Sequence, residues 1–128
     1  MRRRVDISRV MNVHVRVERE DGTVVCERCV VADTPLRRLR GLLGRKDLET
    51  DAGMLLRPVN AIHMFFMRFA IDAIFVDKEL AVVKVREHVK PWRVAGARGA
   101  KAVLELRAGE ARRRGVAPGD RLRIVAAA

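Results

Sequence analysis

Hydrophobic and polar positions change period several times along the chain, and each change marks an element. From Asn12 to Glu18 apolar Val13, Val15 and Val17 alternate with His14, Arg16 and Glu18, the period-two pattern of a half-buried strand. Glu20-Asp21-Gly22 supplies a turn and Thr23 to Val31 a second β-branched stretch, so the pair reads as an antiparallel hairpin. Between Ala32 and Gly44 the period lengthens. Thr34 suits a helix N-cap, Pro35 the first helical position, Leu36, Leu39, Leu42 and Leu43 an apolar stripe, and Gly44 a stop. Arg37, Arg38 and Arg40 fall off that stripe and read as a solvated basic face.

Gly53 to Arg57 is a short apolar strand closed by Pro58, and Ile62 to Asp77 is the densest apolar run in the chain. Within it, Ile62–Met67 and Asp72–Asp77 read as a hairpin around Arg68–Ile71, setting Met67 opposite Asp72 and His63 opposite Val76. Leu80 to Arg86 is a valine-rich strand. Glu87 to Ala100, with Pro91, Gly96 and Gly99, lacks periodicity and reads as a long loop. Lys101 to Arg107 sets Ala102, Leu104 and Leu106 on one face and turns Glu105 to the other, where it reads as solvated. A short helical turn ended by Gly115, a Pro118-Gly119-Asp120 turn and a closing strand with Leu122 and Ile124 inward complete the chain. The pattern predicts a mainly β fold: a small single-domain β-sandwich or barrel with one short α-helix near residues 35–43 and a second helical turn near 109–114. No repeat or linker divides it, so residues 1–128 read as one domain, with 1–10 as a flexible N-terminal arm.

Composition adds one outlier. Lys and Arg number 27 against 16 Asp and Glu, a formal charge of +11 that predicts weak, incidental binding to polyanions through counterion release. The excess is mostly arginine scattered along the chain, and one Trp, no Tyr and four Phe leave few stacking platforms for single strands. A chain of 128 residues buries enough surface to fold without disulfide or metal. MRRRVDISRVMNV has no apolar core of a signal peptide, and nowhere do about 18 apolar residues run together, so a cytoplasmic location without membrane insertion is expected.

The candidate chemistry is sparse. Cys26-Glu27-Arg28-Cys29 has redox or half-zinc spacing, but residues three apart on a strand face opposite sides, so the thiols are expected to diverge. His63 shares an apolar strand face with Phe65 and Met67. In the expected hairpin His63 and Asp72 lie on one face but about 13 Å apart, too far for a proton relay. Asp72, set among apolar neighbours, is either satisfied by backbone N–H groups or by Arg68 or Arg40, or it floors a pocket. In that pocket Arg68, Trp92 and Arg93 would meet a small anionic or planar ligand. No GxSxG, P-loop, GxGxxG or HExxH occurs, so no catalytic residue, metal or cofactor is assigned.

The blocks RLRGLLGRKDL, GMLLRP, IHMFFMRFAIDAIFVD, PWR and VLELRAGEARRRGVAPGD, in this order over about Arg38 to Ile124, resemble the domain-of-unknown-function family 192. The resemblance implies a small, mainly β prokaryotic domain with no established activity. Its pattern falls on Arg40, Gly41 and Leu42, on His63, Met67, Arg68, Ile71, Asp72, Phe75 and Asp77, on Glu105, Leu106, Ala108 and Gly109, and on Gly119 and Asp120. It raises Arg40, Asp72 and Glu105 as polar positions to test. This chain departs from it at Ala70, where proline is common, and at Leu80, where glycine is common.

The first expectation is therefore a non-catalytic ligand- or partner-binding β domain with a pocket near Asp72 and the 87–100 loop. Its candidate residues are Arg40, His63, Met67, Arg68, Asp72, Trp92, Arg93 and Glu105, and its partner is an unidentified small molecule or protein. The second is an enzyme using His63, Asp72 or Glu105 as acid or base. The third is a basic nucleic-acid-binding module.

Overall fold

β-Branched and apolar runs bounded by turns assemble into nine strands among the described residues. The computed structural model describes residues 14–32, 48–64 and 67–126. The strands are β1 (His14–Arg19), β2 (Val24–Ala32), β3 (Ala52–Leu56), β4 (Ala61–His63), β5 (Ile71–Val76), β6 (Val82–Val89), β7 (Val94–Gly96), β8 (Ala102–Arg107) and β9 (Leu122–Ala126), with helix α1 at Glu110–Arg113 between β8 and β9. The mainly β class is as expected. The helix expected near 35–43 and the arm at 1–10 lie outside the described residues.

Seven strands form one sheet in the order β6-β5-β8-β3-β2-β1-β9, and β4 and β7 form a separate pair. The large sheet is not closed into a barrel. Its two edges meet at one corner, where Ala81 bridges Arg121 and the Val82 N–H donates to the Asp120 carbonyl at 2.8 Å. β1 and β2 make the expected hairpin, with Gly22 at φ 91° in the turn.

The apolar run departs from its expected pairing. Ile62–Met67 and Asp72–Asp77 do not form a hairpin: β4 pairs with β7, while β5 lies between β6 and β8. Every residue of β5 is buried, so the strand carries apolar side chains on both faces and period alone could not choose its partners. The stretch expected to be a loop over residues 87–100 instead carries the end of β6 and all of β7.

Both faces of the large sheet are covered. On one, Ile71, Ala73, Phe75, Val103, Met54 and Val89 pack beneath Ile62 and Ala95 of the small sheet, with Met64 and Met67 beside them. On the other, Ile74, Val76, Leu104, Leu106, Leu55 and Val25 pack with Ala111 of α1. Burying a side chain such as Phe75, Ile71 or Ile74 contributes about 1.5–3 kcal/mol. These are the β4–β7 face and the α1 face, and they determine where each polar residue points.

Candidate functional site

Asp72 sits at the second position of β5 and is fully buried. Its cross-strand partner is Leu106, which belongs to the α1 face. There the carboxylate accepts three backbone N–H groups, from His88 on Oδ1 and from Gly109 and Ala111 on Oδ2, each at 2.9 Å. The strand β6 carries one residue more than β5 between the pairs Ile71–Val89 and Ala73–Arg86, and His88 in this bulge has φ 54°. Gly109 has φ 97°, a conformation glycine adopts freely. Asp72 thus fastens the β6 bulge and the start of α1 to the central strand, and no hydrogen bond or ion pair joins it to Arg68, which is exposed. Arg40 lies outside the described residues.

Glu105 is one step out of register with Asp72 and on the opposite face. It pairs laterally with Ala73 on β5 and Met54 on β3, both members of the β4–β7 cluster. The sequence alternation gave its direction correctly, but its expected solvation is overturned: that face is covered, and Glu105 is only 7% exposed. Among the described residues its carboxyl has no hydrogen bond or ion pair. Burial pushes its pKa up to about 8, so the group is largely protonated at neutral pH. Asp72 and Glu105 therefore share no pocket, being separated by the sheet itself.

The remaining candidates gather on the small sheet. His63, expected on an apolar face, is exposed and stands across from Val94, whereas its neighbour Ile62 points into the core. The Met64 carbonyl accepts the Trp92 N–H at 2.7 Å and the Met67 N–H at 3.2 Å, and the Met64 N–H donates to the Arg93 carbonyl at 2.7 Å. These bonds bring His63, Met67, Arg68, Trp92 and Arg93 to one end of the β4–β7 pair. Trp92 is 58% exposed and Val94 61% exposed, while Met67 is buried in the cluster beneath. Trp92 also has φ 69°, a left-handed backbone that costs a bulky residue energy. The 87–100 stretch donates one hydrogen bond to Asp72, from the His88 N–H.

The thiols do not diverge. β2 holds an extra residue between the pairs Val15–Cys29 and Val17–Cys26, and this bulge turns both cysteines onto the α1 face, where each is buried. The Cys26 sulfur lies against Gly53, where a Cβ would come within 2.9 Å of it, and Gly53 is the ladder neighbour of Cys29. The Cys26 thiol donates to the Asp51 carbonyl at 3.7 Å and the Cys29 thiol to the Val30 carbonyl at 3.8 Å, and their mutual influence holds the Cys26 pKa down and that of Cys29 up, with burial adding to the rise. Both are free thiols. Among the described residues no three His, Cys, Asp or Glu side chains cluster as metal ligands would.

Sequence reasoning also missed a charge network. The Arg114 side chain meets Glu27 at 2.6 Å and Glu110 at 3.1 Å and donates to the Thr50 and Val24 carbonyls. Glu110 is buried, and its carboxyl is held below the usual range by Arg113 and then Arg114. Arg123 and Arg16 converge on buried Glu18, and Arg28 on Asp51 and Glu49. Much of the arginine excess is thus engaged with neighbouring carboxylates. A shallow cleft of about 430 Å³ runs beside this network, between Val85 and Glu87 of β6 and Ala111, Arg112 and Val116.

The succession of strands, the α1 turn and the placement of Asp72 and Glu105 can be set beside known proteins. The family model of DUF192, described as an uncharacterized ACR, matches residues 15–124. The chain belongs to the DUF192 family. A UPF0127 protein of Thermococcus sibiricus is 34% identical over 98 residues, which is 73% of this chain and 63% of that protein's length. Two crystal structures share the DUF192 chain's fold at 29% identity. One is a Sinorhizobium meliloti protein provisionally labelled a transcription regulator, with a TM-score of 0.76 over 88% of this chain and 92% of that one. The other is a Novosphingobium aromaticivorans protein of unknown function, with a TM-score of 0.74 over 86% of this chain and 83% of that one. Among the described residues of this DUF192 member no helix is long and apolar enough to cross a membrane.

Proposed function

We propose that this DUF192 domain is a non-catalytic binding module whose ligand or partner engages the exposed end of the β4–β7 pair. The observation that carries this reading is Trp92: a large apolar side chain 58% exposed, on a backbone at φ 69° held by a 2.7 Å bond to Met64. Strain of this kind persists where the surroundings enforce it, and an exposed indole gains nothing for the core. Exposed Arg68 and Arg93 supply cationic contacts, His63 adds a polar side chain, and Val94 extends the apolar surface. Together they suit a small planar anion, stacked on the indole and paired with a guanidinium. A cytoplasmic location goes with this reading.

Acid–base catalysis by His63, Asp72 and Glu105 gains no support from this arrangement, because the oxygens of Asp72 are taken by backbone N–H groups on the face away from Glu105. Dedicated nucleic-acid binding is likewise weakened by the internal pairing of so many arginines. The test is a titration with benzoate and nicotinate, followed on the indole N–H resonance of the single tryptophan. A saturable shift with a Kd of about 1 mM or tighter is expected, weakened several-fold in an Arg68→Gln/Arg93→Gln variant. An indole that does not respond, or responds alike in the variant, would remove the reading.

A further inference from the structure

A second cleft, of about 310 Å³, lies at the other end of β4, away from Trp92. Three separate connections bring cations to it: Arg57 follows β3, Lys78 sits in the turn between β5 and β6, and Lys101 precedes β8. All three are exposed, and neither Lys78 nor Lys101 has an ion-pair partner among the described residues. This distinguishes the two lysines from the arginines paired with carboxylates elsewhere on the molecule.

The one acid in the lining is Asp77. Its Oδ1 accepts the Glu79 N–H at 2.8 Å and the Ala81 N–H at 3.0 Å, which commits that oxygen to the turn. Lys78 and Lys101 outnumber this one carboxylate, and Arg57 also lines the cleft. The rest of the wall is apolar: Pro58, Leu80 and Ala102. Leu80 has φ 66°, so this apolar side chain stands at a backbone position that glycine would fill with less strain. The backbone around it is fixed, since the Leu80 N–H donates to Asp77, the Leu80 carbonyl accepts from Leu122, and the Lys101 N–H donates to the Val76 carbonyl at 2.7 Å.

We infer that the cleft between Arg57, Lys78 and Lys101 is a binding site for a small organic anion, its charged group held by the cations and its apolar body resting on Pro58, Leu80 and Ala102. A preformed concave site with convergent like charges and an apolar wall is the usual form of such a pocket. The charged group is a phosphate, sulfate or carboxylate, and the volume limits the body to about one ring. This site is independent of the one proposed at Trp92.

The experiment is a titration of the whole chain with phenyl phosphate, benzoate and inorganic phosphate, read from backbone amide shifts. Saturable shifts at Lys78, Leu80, Lys101 and Ala102 are expected, with phenyl phosphate binding tighter than inorganic phosphate. Lys78→Gln/Lys101→Gln should weaken phenyl phosphate roughly tenfold or more. A Lys90→Gln/Arg98→Gln variant, which loses the same charge from exposed positions elsewhere, should bind as the parent does. Both pairs lie on the surface, so the amide spectrum shows directly that each variant is folded. Equal weakening in the two variants, shifts spread over the basic surface, or no preference for phenyl phosphate over inorganic phosphate would overturn the inference. The Trp92 indole reports on the other site in the same spectra, so failure of either leaves the other readable.

Discussion

Asp72 and Glu105 stand on adjacent strands, one register step apart, and meet opposite fates. Asp72 faces α1 and takes three backbone N–H bonds; Glu105 faces the small sheet and has none among the described residues. Both are buried carboxyl groups, so burial alone does not say what a polar residue is for. The difference lies in what each face contains. The α1 face brings a strand bulge and a tight turn whose N–H groups need an acceptor, and Asp72 supplies it. On the β4–β7 face the described neighbours of Glu105 include Met54 and Ala73, whose side chains carry no donor.

The comparison breaks most severely at Asp72. Asp72→Ala orphans three N–H groups at once, and each unsatisfied buried donor costs about 1–3 kcal/mol. A loss of on the order of 4 kcal/mol or more in urea denaturation is expected, enough to unfold a marginal domain. A loss under about 1 kcal/mol would mean that water or a rearranged turn replaces the carboxylate.

The next largest effect concerns Glu105 and its pH dependence. Its folded pKa is raised from 4.5 to about 8, so the native state binds a proton that the unfolded chain has already released. The stability this group contributes is fully present below its unfolded pKa, declines as pH rises, and is lost once pH has passed through its folded pKa. Over that window the decline amounts to a few kcal/mol. Glu105→Gln should remove that slope and leave the variant more stable than the parent at pH 9. Denaturation at pH 5 and pH 9 checks it, and an unchanged slope would show that another group is responsible.

The smallest effect sharpens the contrast from the other side. Trp92→Ala should alter stability by no more than about 0.5 kcal/mol, because an exposed indole adds little to the core and alanine keeps the Cβ that makes the left-handed backbone costly. A cost above about 2 kcal/mol would make Trp92 a packing residue instead.

What the sequence revealed follows the same division. The hairpin β1–β2, the strands β3, β8 and β9 and the short helix α1 were legible because each has a clear period or a glycine stop. Asp72 could be read as a carboxylate satisfied by backbone donors, since an acid among Ile71, Ala73 and Ile74 must find partners. Glu105 was misread although its direction was right, because alternation tells which face a residue takes and not whether that face is covered. His63 was misread because β4 lies on top of the large sheet, with its polar side outward. The thiols of Cys26 and Cys29 converge through a bulge, and the pairing of β5 depends on non-local choice between equally apolar partners; neither leaves a mark in local spacing. Leu80 is the reverse case: the glycine that the resemblance led one to expect there becomes informative once its φ of 66° is known.

On the β4–β7 face Glu105 is a buried carboxyl group with no hydrogen bond or ion pair among the described residues. Glu105 can be followed directly by its side-chain carboxyl carbon resonance in a pH titration of the folded chain, assigned with Glu105→Gln. A midpoint near 8 is predicted. A midpoint at or below the ordinary glutamate value of 4.5 would contradict it, since water, a cation or a hydrogen-bond donor would then have to reach Glu105 to hold the charge there.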